Sequence, residues 1–465
     1  MKFDDLLSID ELNGILDFKF SNSEIPMYLY IRYFILQSNI NKSFNLSDPH
    51  ILPIRSWKDK VRYLYMTVKK NLFLAPNQDV FIFSSGIVNR YQNGLYMNRL
   101  YNNFYNLFPN QTLLIEYSNK KKYPLPKVEN VYYRDFIELL SSCIGKFFKI
   151  NKRDREGISK FLNYLAENNQ GYLDKSILLQ IEKNLKSISR RLPVQIFLYK
   201  LFFKMKNVKL LIVEDGHYGL QSHIFYIAHS LGIKTAEFQH GYISKSHPAY
   251  NYSEKIYNEI KKFLPNYFLS HGIYWSHECR TPSNNLEIGF PDLIESVKKY
   301  NDVKKGDMQK ILFMSGGTSI KEFNDIVEQI AKFFTSHEYE FIIRPHPSEI
   351  SAVDERYGYL KEFGVTIDDN NLYASLNRAD IVIGVEHSTV FFEAVFFTKR
   401  IYILKSDYTL FYNFDSVFIS FENAEELIKL INEEIEIKHN ADYFWDSNWK
   451  QNYIDFIENT IGINK

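Results

Sequence analysis

The sequence predicts an α/β protein built from two Rossmann-like halves that face a cleft, and three observations predict it. Short β-branched and aromatic runs alternate with helix-length segments, the pattern of a parallel sheet with crossover helices. The alternation occurs twice, on either side of the polar linker ESVKKYNDVKKGDMQ. Residues able to do chemistry stand just after the apolar runs, where open parallel sheets bind ligands.

The elements follow in order. Residues 1 to about 75 show helical periodicity, as in LLSIDELNGILDF, without a chemical motif. DVFIFSSG reads as a first strand, followed by a helical segment around 95–107 and the strand QTLLIEYS. Residues of about 135–206 are a charge-rich helical insertion. The sheet pattern resumes with VKLLIVEDG, the helix HYGLQSHIFYIAHSLG and the strand IKTAEFQHG, then PNYFLSHG and NLEIGFP. The first half therefore spans 1–295 and the second 310–445. The second contains KILFMSGG, a helix near 320–336, EFIIRPHP, GVTI, ADIVIG, a helix from Ser388, and RIYILK. Residues 446–465 read as a terminal helix.

Composition bounds the function. A chain of 465 residues is long enough for two to three domains at roughly 150 residues each. With 45% hydrophobic and 24% charged residues it is an ordinary globular chain, not a disordered one. The 56 basic and 55 acidic residues leave a net charge of +1, which argues against a nucleic-acid binder and leaves room for a local phosphate site. Two cysteines, Cys143 and Cys279, make neither a disulfide framework nor a cysteine zinc site. The start MKFDDLLSID lacks the apolar core of a secretory signal. IPMYLYIRYFIL is broken by Arg32 and too short to span a bilayer, so a cytoplasmic protein is expected. The aromatic content of 16% fits codon bias and by itself supports no stacking platform.

Five motifs carry possible chemistry. Glu214-Asp215-Gly216 follows VKLLIV: two adjacent carboxylates at a strand's end tend to raise one pKa, as a general base requires, and Gly216 permits a sharp turn. The plainer explanation is a helix cap. Arg344-Pro345-His346-Pro347 presents an imidazole on a backbone fixed by two prolines, beside an arginine, which suits a phosphate or a leaving group needing a proton. Glu386-His387-Ser388-Thr389 places two hydroxyls at a helix start, where they cap the helix or bind an anion. Gln239-His240-Gly241 offers His240 to the cleft. Ser315-Gly316-Gly317-Thr318 is a turn able to line a phosphate or a ribose. His217, His223 and His229 are six apart and do not share a helical face, so no metal site is expected. There is neither a phosphate-binding GK[ST] loop nor a GxGxxG, which weighs against nucleotide hydrolysis and nicotinamide chemistry. No Asp-x-Asp occurs to hold a cation on a diphosphate.

In their order, Glu214-Asp215-Gly216, His346-Pro347 and Ser388-Thr389 resemble the three motifs of bacterial sialyltransferases, above all the polysialyltransferases and the two-domain marine-type enzymes. The likeness covers roughly residues 208–400, and the third motif is Ser-Thr where the family has Ser-Ser. Arg344-Pro345-His346-Pro347 with Gln239-His240-Gly241 is also similar to Kdo transferases and CDP-glycerol glycerophosphotransferases.

The resemblance implies a GT-B fold, an N-terminal acceptor domain, a C-terminal nucleotide-sugar domain and a CMP-linked acidic sugar as donor. It implies Asp215 as base with Glu214 as alternate, and His346 assisting departure of the phosphate. Ser388, Thr389, Arg344, Pro347, Ser315, Gly316 and Gly317 would hold the donor, with Gly216, His240 and Glu386 elsewhere in the cleft. Inversion and metal independence follow from the same likeness, with no cofactor beyond the donor. The expected partners are the donor and a glycan acceptor, free or lipid-linked, and no nucleic acid. Basic stretches at Lys120–Lys122 and Lys204–Lys209 are compatible with peripheral attachment to an anionic inner leaflet, although solvated surface is the commoner explanation. The competing readings are a glycerophosphotransferase or another nucleotide-sugar transferase, an epimerase of the same two-domain fold, and a non-catalytic binding protein.

Overall fold

The computed structural model describes residues 2–21, 23–44, 56–86, 89–92, 94–119, 121–127, 130–147, 149–168, 171, 173–300, 308–316, 320–334, 338–346, 349, 352–385 and 388–462. The first half contains the strands β1 (Val80–Ser85), β2 (Asn89–Gln92), β3 (Leu95–Asn98), β4 (Thr112–Tyr117), β5 (Val131–Tyr133), β6 (Leu210–Val213), β7 (Lys234–Phe238), β8 (Tyr267–Ser270) and β9 (Asn284–Glu287). The second contains β10 (Gln309–Met314), β11 (Tyr339–Arg344), β12 (Val365–Ile367), β13 (Ile381–Gly384), β14 (Arg400–Leu404) and β15 (Ile419–Phe421).

Seven strands form one parallel sheet in the order β5-β4-β1-β6-β7-β8-β9, and six form another in the order β12-β11-β10-β13-β14-β15. Each sheet begins in its interior, grows to one side and then reverses, the 3-2-1-4-5-6 order of a Rossmann sheet, with one further strand, β9, at the edge of the first. β6 and β13 are buried throughout because crossover helices cover both faces, which is why they read as unbroken apolar runs. This is the expected two-sheet GT-B architecture.

One local expectation fails. Leu95–Asn98 is a strand, paired antiparallel with Asn89–Gln92, and the helix starts only at Asn102. Gly94 turns the hairpin at a φ of 82°. The Asn98 side chain then accepts from the amides of Leu100 and Tyr101 at 3.1 and 3.3 Å, which delays the helix.

The apolar N-terminal stretch is a core helix, Met27–Ser43, with residues 27–32 buried in succession. Its Arg32 is also buried and is held by both oxygens of Asp10 (2.6 and 2.8 Å) and by the carbonyls of Pro248 and Asn251. A buried guanidinium needs such full pairing, and the pairing anchors the segment that carries Tyr250. In the region 135–206 lie the helices Asp135–Phe147, Lys152–Glu167 and Lys175–Lys206. The last turns Ile177, Ile181, Leu185, Ile188 and Leu192 inward at helical spacing. No described helix is long and apolar enough to cross a membrane.

The two halves share one apolar core. The Trp275 indole donates to the Phe444 carbonyl at 2.7 Å and the Trp445 indole to that of Phe392 at 2.9 Å. The chain then returns to the first half as the helix Trp449–Ile461, where Tyr453 packs on Phe104 and Phe238. Gly289 permits this return: its φ is 78°, and a Cβ there would lie 2.3 Å from the Asp446 carbonyl.

Candidate active site

In each sheet the strand order reverses between two adjacent strands, β1/β6 and β10/β13, and the carboxyl ends of such strands open a crevice. The acidic pair stands at the first of these points. Glu214 follows β6 and is buried; the Ser85 amide and hydroxyl, at the end of β1, donate to its two oxygens at 2.8 and 2.6 Å. Burial, and next the charge of Asp215, push its carboxyl up to about 7, against the Ser85 bonds and His240.

Asp215 is the outward-facing member, its side chain 45% exposed, and its Oδ1 lies 3.2 Å from His240 Nε2. Desolvation raises its carboxyl above the usual range, opposed by His240. The left-handed residue of the turn is Asp215, with φ 58°, rather than Gly216. Gly216 is required for a different reason: a Cβ there would sit 2.8 Å from the Phe225 ring and 3.0 Å from Glu237 Oε2.

His240, at the end of β7, is supported from beneath. Its Nδ1 is 3.3 Å from the Tyr250 hydroxyl, and that hydroxyl donates to buried Glu237 at 2.8 Å. Glu237 also accepts from the His217 amide at 2.9 Å and pairs with the His217 ring, whose Nε2 meets the Ser283 hydroxyl at 2.9 Å. This network fixes the imidazole against Asp215. Tyr33 adjoins the site: burial, and then the charge of Asp215, push its phenol up to about 12.

The second reversal point opens a cavity of about 600 Å³, a size suited to a nucleotide-scale ligand. Its walls include Ser315, Gly316, Arg344, His346, Ser388 and Thr389, so the structure brings these predicted residues together. Ser388 caps the short helix Thr389–Ala394 by accepting from the Val390 amide. Arg344 is partly committed, because its Nη1 donates to Asp368 (2.6 Å) and to the Asn370 carbonyl (2.9 Å).

Glu349, which the sequence reading missed, organises this loop. It accepts from the His346 amide (2.8 Å), the Ser315 hydroxyl (2.6 Å), the Tyr357 hydroxyl (2.7 Å) and Arg356 (2.8 Å). Burial would raise its carboxyl, but these bonds outweigh burial and hold it below the usual range. No motif marks it; a carboxylate three residues after His346 was the available signal.

From the first half, Arg99 reaches the cavity wall, while Glu214 and Asp215 are not among the wall residues. His271 is buried between them, its amide donating to the Gln239 side chain at 2.9 Å, and burial pushes its imidazole down to about 3 against the Gln239 bond. Gly317, Pro347 and Glu386 lie outside the described residues. His223 and His229 belong to the packing, His223 against Tyr30 and His229 between Thr235 and the Lys262 carbonyl.

No protein-family model matches the sequence, and no curated protein matches it. Among solved structures, MurG of Acinetobacter baumannii is similar at 10% identity over 82% of this chain and 99% of that one, with a TM-score of 0.45. A UDP-GlcNAc 2-epimerase of Methanocaldococcus jannaschii is similar at 12% identity over 80% and 97%, with a TM-score of 0.44. The wall teichoic acid polymerase TagF is similar at 12% identity over 93% and 94%, with a TM-score of 0.40. The fold assignment rests on the strand order of the two sheets.

Proposed function

We propose that the protein is a glycosyltransferase that moves a sialic acid or related acidic sugar from a CMP-linked donor to a hydroxyl of a bacterial surface glycan. The observation that supports this most is the pairing of Asp215 with His240 at one strand reversal and the His346–Ser388–Thr389 cavity at the other. The sequence motifs supply the donor class.

In this reading Asp215 takes the proton of the acceptor hydroxyl, with His240 orienting the carboxylate. The acceptor oxygen bonds to the anomeric carbon as the bond from that carbon to the phosphate breaks. The electron pair leaves with CMP, and His346 supplies a proton or hydrogen bond to the departing phosphate. Ser388 and Thr389 stabilise the charge that develops there. Attack opposite the leaving group inverts the anomeric centre. A monophosphate leaving group needs no cation to bridge a diphosphate. Glu214, turned to Ser85, positions Asp215 instead of meeting substrate.

The test is to incubate the purified protein with CMP-sialic acid, CMP-Kdo, CDP-glycerol and UDP-sugars and to follow nucleotide release. Acceptor-dependent CMP release from CMP-sialic acid is expected. Turnover of CDP-glycerol would make the protein a glycerophosphotransferase, and consumption of UDP-N-acetylglucosamine without acceptor an epimerase. CMP-induced thermal stabilisation without turnover would make it a binding protein. Asp215→Asn and His346→Ala are each expected to lower turnover by roughly two orders of magnitude.

A further inference from the structure

We propose that the helix Trp57–Lys69 is an interfacial anchor that lays an exposed apolar stripe on an anionic lipid bilayer. The helix is amphipathic in the reverse of the usual sense. Trp57, Val61, Leu64, Tyr65 and Val68 are between 47% and 69% exposed. At about 100° per residue they fall within one arc of roughly 100°. The opposite side is the one that packs on the protein. There the Tyr63 hydroxyl donates to Asp135 at 3.1 Å, Thr67 meets the Tyr123 hydroxyl at 2.6 Å, and Asp59 pairs with Lys122 at 3.4 Å.

Charge identifies the occupant. Lys58, Arg62 and Lys69 border the stripe on one side and Lys60 on the other, four cations on a chain whose overall net charge is only +1. The one carboxylate of the helix, Asp59, is on the packed side with Lys122. An apolar stripe with a tryptophan and a tyrosine, bordered by cations, matches the acyl boundary and anionic headgroups of a membrane surface.

Further exposed apolar residues lie outside the helix. Leu74 is 61% exposed, and its neighbour Phe73 packs on Phe202 of Lys175–Lys206, where Phe197, Leu201 and Met205 form another exposed stripe at a spacing of four. Of the lysines that the sequence suggested for this role, Lys122 pairs with Asp59 of this same helix, and two others are engaged elsewhere. Lys206 is buried and donates to the Ala75 carbonyl, and Lys209 pairs with Asp79 at 3.0 Å.

The test is flotation of the full chain with vesicles of phosphatidylcholine alone or with about a third phosphatidylglycerol. Binding is measured without donor or acceptor, so its outcome is separate from that of the proposed activity. Strong binding to anionic vesicles and at least tenfold weaker binding to neutral ones is expected. Leu64→Glu with Val68→Glu, and separately Lys60→Glu with Arg62→Glu, should each weaken binding at least tenfold with the thermal midpoint unchanged. Trp57 emission should shift to the blue on binding, a shift absent from Trp57→Phe. Wild-type protein that ignores anionic vesicles, or binds both kinds equally, overturns the proposal. So does a dimer in sedimentation that the Leu64 and Val68 changes abolish while vesicles have no effect, because the stripe then covers a second copy.

Discussion

At the scale of the residue, the two carboxylates of the acidic pair have different environments. Asp215 is at the surface of the crevice with an imidazole beside it, whereas Glu214 is buried with both oxygens bonded to Ser85. Raised to about 7, Glu214 keeps its proton in the folded protein through a range where the unfolded chain, ionising near 4.5, has released it. Its contribution to stability is therefore fully present below pH 4.5 and is lost as pH rises toward 7. Glu214→Gln should remove this term, so that the variant gains on the wild type between those values; unfolding midpoints measured against pH check it. The candidate motif residues could be read locally, as carboxylates after a strand and a histidine bracketed by prolines. Glu237, Tyr250 and Glu349 were not legible. Their importance comes from partners distant in sequence or from a loop shape that no local pattern records.

At the scale of the element, the loop after β11 depends on one buried carboxylate. Glu349→Ala leaves the Ser315 and Tyr357 hydroxyls, Arg356 and the His346 amide without their common acceptor. A loss of about 1–3 kcal/mol is expected from such unmade bonds. It should lower the thermal midpoint by a few degrees and raise the KM for the donor, because His346 and Ser315 lose their shared support. A variant with an unchanged midpoint and KM would show that the prolines alone shape the loop.

Strands buried on both faces, such as β6 and β13, were legible as apolar runs. The segment 95–107 was not. Its strand is set by pairing with Asn89–Gln92 and by the Asn98 side chain, against a local pattern that also suits a helix. Helix Trp57–Lys69 shows the same limit, since periodicity reveals an apolar stripe but not which way it faces.

At the scale of the whole molecule, the doubled Rossmann order places a crevice at the centre of each sheet, and the shared core holds the two halves together. The Trp275 and Trp445 hydrogen bonds and the returning helix Trp449–Ile461 join them. The repeat of strand and helix was legible because it is local; the seam between the halves was not, because it joins residues far apart in the chain. The central claim is that an acid of one half and the imidazole and hydroxyls of the other serve a single reaction. A crystal structure with CMP and an acceptor fragment tests it most directly. The phosphate is expected within about 3 Å of His346 and of Ser388 or Thr389, with the acceptor hydroxyl against Asp215. CMP bound away from His346, or an acceptor that leaves Asp215 untouched, would contradict it.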